Sequence, residues 1–163
     1  AFKGRRFDKS SEYAESLAND NRSDEGLKTE ASYILAKSYM ARSSREQALE
    51  ILKKLAQDTS SAYGAEAAYM LILDAYDRGE FQEVEDRVYA FSDSGSGQTY
   101  WLAKSFIVLG DSFAERGELT QAKATFESVR DGYSPSGADD DVQDNVRVRL
   151  EKLEVMISEK NNQ

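Results

Sequence analysis

The sequence contains no cysteine and no histidine, and each absence removes a branch of chemistry. Without cysteine there is no disulfide, no thiolate nucleophile and no cysteine-bound zinc. Without histidine there is no imidazole base or ligand, and no pH switch near neutrality. The missing disulfides do not assign a reducing compartment, because a large helical core needs none in either setting. Proline occurs once, at Pro135. With helix formers plentiful and no long run alternating at period two, the chain is expected to be all-α, without strands. Long apolar runs are missing too. The longest, Tyr69 to Leu73, is far too short to span a bilayer, and the N-terminus lacks the charged-then-apolar pattern of a secretory signal. Positive charge is in deficit: the net charge of -9 argues against gripping a nucleic-acid backbone and favours solubility. The chain opens at Ala1 rather than Met, so it reads as a fragment or processed piece of something longer, and any targeting signal would fall outside it.

What is present is a spaced pattern in a chain of 163 residues, a length that suits one domain, 1–163. Phe106, Leu109, Gly110 and Phe113 fall on one stripe of a helix, Ala122 and Phe126 fall on one stripe of a second, and Gly117 lies between them at a turn. Small residues at Gly110 and Ala122 let two antiparallel helices cross closely while the three Phe rings fill the space around the crossing. The spacing resembles the tetratricopeptide-repeat signature, with Phe where the signature has Trp and Tyr. One such hairpin cannot bury both its apolar faces, so the resemblance implies stacked copies.

Weaker copies precede it. Residues 29–62 place Leu35, Ala36 and Tyr39 in a first helix and Ala48 and Leu52 in a second, with Ser32 at the bulky first position. Ser44 and Gln47 have capping-box spacing and are expected to start that second helix. Residues 65–98 carry Ala68, Leu71 and Ala75, then Gly79 at the turn, then Val84 and Val88, with Ile72 at the small position. The compact second-helix position thus recurs at Ala48, Val84 and Ala122, near the roughly 34-residue period plus short linkers. The strong copy spans 103–136. Upstream, residues 5–22 place Phe7, Tyr13, Ala14 and Leu17 on one helical face after Gly4, which reads as a second helix without its first. That cut repeat predicts an apolar N-terminal edge and homo-oligomers formed through it. Downstream, after a turn at Ser134 to Gly137, residues 138–160 are expected to form a capping helix beginning at Ala138. Asp139, Asp140 and Asp141 would lie in its first turn and Val142, Val146, Leu150, Leu153 and Ile157 on one face.

Four stretches invite sharper readings. The loop Asn19 to Gly26 has polar residues at calcium-loop spacing, but Asp24 stands where that loop needs glycine, and an ordinary connection is favoured. The loop Ser92 to Thr99 contains Gly95 and Gly97, but Tyr100 occupies the third glycine position and no strand precedes it, so it is not a phosphate cradle. Three successive acids at 139–141 point in different directions, which favours a helix start over a cation site. Tyr100 and Trp101 are expected to cover the preceding hairpin rather than stack on a ligand.

The tetratricopeptide resemblance covers nearly the whole chain and implies a right-handed solenoid ending in the capping helix. It implies a protein-interaction scaffold with no catalytic, metal or cofactor residues, binding no nucleic acid and inserting into no membrane. The run Gln98 to Tyr133 also looks like the C-terminal end of long bacterial cell-envelope repeat proteins, which implies a periplasmic or envelope location. In the family, ligands lie along the concave face of the first helices, here Glu30, Tyr33, Lys37, Met40, Glu66, Tyr69, Leu73, Tyr76, Lys104, Ile107 and Asp111. Members that clamp a C-terminal carboxylate carry Lys, Asn and Arg at such positions. Tyr33, Tyr69 and Leu73 depart from that set, so an extended or helical protein segment is the expected partner. The alternative is a module that caps or self-associates within a longer array, with recognition elsewhere.

Overall fold

In the computed structural model the described residues are 25–41 and 44–162. Among them the chain is all-helical: α1 Glu25–Ala41, α2 Arg45–Leu55, α3 Ala62–Asp77, α4 Phe81–Asp93, α5 Thr99–Glu115, α6 Leu119–Gly132 and α7 Val142–Asn161. The expected helix at Phe7 to Asp20, its turn at Gly4 and the oligomer edge lie outside the described residues. The chain divides into two compact units, Ala1–Leu71 and Ile72–Gln163.

In the first unit α1 packs on α2. Ala36, Leu52, Leu55, Ala67 and Leu71 form its core, with Ala31 and Leu35 in a smaller cluster beside Tyr39 and Ile51. The apolar residues of α2 recur every three or four positions, so one face is buried and Lys53 and Lys54 stay in water. The α2–α3 connection is tight. The Ser61 hydroxyl donates to the Asp58 carbonyl at 3.2 Å and accepts from the Gly64 N–H at 2.9 Å, which draws the start of α3 against the end of α2.

In the second unit α5 is the central element, packed against α4, α6 and α7. Its sequence is apolar on nearly every side, as an enclosed helix requires, and Ile107, Val108, Leu109, Gly110 and Phe113 are all buried. Gly110 meets the Phe126 ring of α6, so close that a Cβ there would lie 2.4 Å from Phe126 Cε1. Around that crossing Ala122 is 0% and Phe126 2% exposed.

Three helix-to-helix corners share one backbone plan. The Ser44 N–H donates to the Tyr39 carbonyl at 2.8 Å, the Glu80 N–H to Ala75 at 2.9 Å and the Glu118 N–H to Phe113 at 2.9 Å. Before the last two, Gly79 and Gly117 adopt φ of +73° and +76°, which an L side chain reaches only with strain, and donate to Tyr76 and Ala114. Each of Ser44, Glu80 and Glu118 then accepts from the N–H four residues on, at Ala48, Val84 and Ala122. One residue therefore ends a helix and begins the next, which sets the turn of the hairpin.

The structure corrects four local expectations. Ser44 does precede α2, but its side chain makes no capping bond: at φ -88°, ψ 63° the backbone is committed to the corner instead. Glu25 and Gly26, expected in a loop, begin α1. Ser92 and Asp93 complete α4, which shortens the following loop to 94–98. The last helix begins at Val142 rather than Ala138, because the Asp140 side chain gathers the residues before it into a loop, described below.

Candidate functional site

The eleven expected groove positions fall in both units. In the first, Glu30, Lys37 and Met40 are exposed and Tyr33, Glu66 and Tyr69 half-buried. Three of these meet. Lys37 Nζ lies 3.1 Å from Glu66 Oε2 and 5.3 Å from the centre of the Tyr33 ring, which in turn packs at 4.6 Å against Tyr63. The lysine pairs by charge without hydrogen-bond alignment, leaving Oε2 with no donor. Burial, and then the hydrogen bond to Glu66, push the Tyr33 phenol up, so it stays protonated and donates. The cluster joins α1 to α3 through a ring, a cation and a carboxylate.

In the second unit Leu73, Tyr76, Lys104 and Asp111 are half-buried, and Ile107 is 5% exposed and belongs to the core. Tyr76 packs at 5.8 Å against Phe81. Its phenol is raised by burial and then by the Asp111 and Glu115 carboxylates, with a hydrogen bond to Glu115, while Arg149 pulls the other way. Asp111 Oδ1 accepts from Arg149 Nε at 2.8 Å, and Arg149 also donates to the Asn145 carbonyl at 3.2 Å. One helical turn from the other end of α5, Asp141 takes the Tyr100 hydroxyl on Oδ1 and Lys104 Nζ on Oδ2, each at 2.9 Å. Lys104 and Asp111 are thus tied to α7 and its leading residue rather than left open to solvent.

Sequence reasoning placed Asp141 at a helix start without naming its partners, and did not single out Arg149. The available signal was spacing. Lys104 and Asp111 lie two turns apart on α5, and the opposite charges Asp141 and Arg149 lie at nearly the same separation at α7, in the same order. That pattern is what parallel neighbouring helices display. Half-exposed pairs of this kind contribute little stability, typically under about 1 kcal/mol, so their main effect is to set the register of α7 on α5.

The three consecutive acids have separate fates. Asp139 is exposed. Asp140 gathers the loop before α7: its carboxylate accepts from the Tyr133 hydroxyl, from the Ser136 N–H at 2.9 Å and hydroxyl at 3.0 Å, and from the Val142 N–H at 3.0 Å. Burial raises its pKa, but these donors outweigh burial and bring it down to about 2. A free aspartate titrates near about 3.9. The stabilisation therefore holds fully above about pH 4 and is lost as pH falls through about 2. Thermal melting should show a decline in stability across that window, and Asp140→Asn should flatten it. An equally steep decline in the variant would place the acid sensitivity in other carboxylates.

Acidic and basic residues balance in Ala1–Leu71, so the net charge of -9 belongs to Ile72–Gln163. Among the described residues no helix is long and apolar enough to cross a membrane. Comparison with protein-family models, with curated proteins and with solved structures finds no match to this chain.

Proposed function

We propose that the chain is a tetratricopeptide-like repeat protein that catalyses no reaction and works by holding a protein segment against the inner faces of its first helices. The observation that carries this reading is the corner repeated at Ser44, Glu80 and Glu118, each followed by a fully buried compact residue at Ala48, Val84 or Ala122. A hairpin repeated on one plan is the unit of a solenoid, and solenoids bind through extended surfaces.

The most suitable contact face is on α3, where Tyr69, Leu73 and Tyr76 are half-buried beside the buried Leu71 and Ala75. Half-buried rings and a leucine offer area with polar tips, which suits a segment presenting apolar side chains better than one presenting a carboxylate. Selection of binding segments from a peptide display library tests this. The enriched segment should lose more than about 2 kcal/mol of affinity on Tyr69→Ala with Leu73→Ala, while helicity and melting temperature stay close to those of the parent. Full affinity for the variant, or no enrichment at all, would overturn the reading.

A second reading has one observation in its favour. Because Lys104 and Asp111 are engaged by Asp141 and Arg149 and Ile107 is buried, the α5 part of the expected groove is closed by the fold itself. The second unit would then serve as a structural cap. Binding by the α3 face that survives Lys104→Ala with Asp111→Ala would favour this division of labour, and loss of binding would return α5 to the groove.

A further inference from the structure

We draw no further inference here: the strongest candidate, the exposed face of α7 that carries Val148, Val155 and Met156, has acidic and basic residues that balance along the helix, so nothing in the structure shows what covers it.

Discussion

Phe126→Ala is expected to cost about 3 to 5 kcal/mol, the largest loss of any single side-chain truncation in the second unit. Phe126 is 2% exposed and lies over Gly110, so its removal leaves a cavity at the point where α5 and α6 approach most closely. The same contact predicts a change of sign at Gly110. In an ordinary helix interior Gly→Ala gains about 1 kcal/mol through propensity. Here a Cβ would lie 2.4, 2.7 and 2.8 Å from three atoms of the Phe126 ring, and overpacking of about 1 to 3 kcal/mol outweighs that gain. Gly110→Ala should therefore destabilise the parent and stabilise the Phe126→Ala variant. Reversible denaturant unfolding followed by the fluorescence of Trp101, the single tryptophan, measures all four corners of this cycle. A loss below about 0.5 kcal/mol for Phe126→Ala, or stabilisation by Gly110→Ala in both backgrounds, would refute the crossing as described.

Gly64→Ala should be comparably damaging in the first unit, by about 3 kcal/mol or more. A Cβ at Gly64 would fall 1.8 Å from the Asp58 carbonyl oxygen and 2.7 Å from that of Leu55. Both are backbone atoms, so no rotamer change relieves the clash, and the start of α3 must swing away from α2. That movement would open the core of Leu52, Leu55, Ala67 and Leu71. Amide exchange should show lost protection in α2 and the first turns of α3, together with a lower melting temperature. Unchanged protection there would mean that the connection is looser than the Ser61 bonds imply.

These two glycines differ in how far the sequence exposed their roles. Gly110 stands inside a spaced pattern of rings and small residues, and the pattern itself names Phe126 as the side chain that needs the room. Gly64 lies in no such pattern, since its constraint comes from a carbonyl six residues away in a connection whose path depends on the hydroxyl of Ser61. The helical class, the corners at Gly79 and Gly117 and the hairpin of α5 and α6 were all legible in advance. Each depends on residues close in the chain, where the helical period relates sequence distance directly to direction in space.

The surfaces were less legible. Periodicity could assign Lys104, Ile107 and Asp111 to one stripe of α5, but only packing decided that Ile107 is enclosed and that the two charges face Asp141 and Arg149. The run of acids likewise marked the approach to a helix, while the bonds from Tyr133, Ser136 and Val142 moved its first residue to Val142. An apolar stripe records that a face is covered without recording which helix covers it. The partner of a charge depends on the direction and register of an element far along the chain. What the sequence by itself determined is therefore a set of helices, their turns and their buried faces. Tertiary structure decided which of the remaining positions are spent on holding α7 against α5.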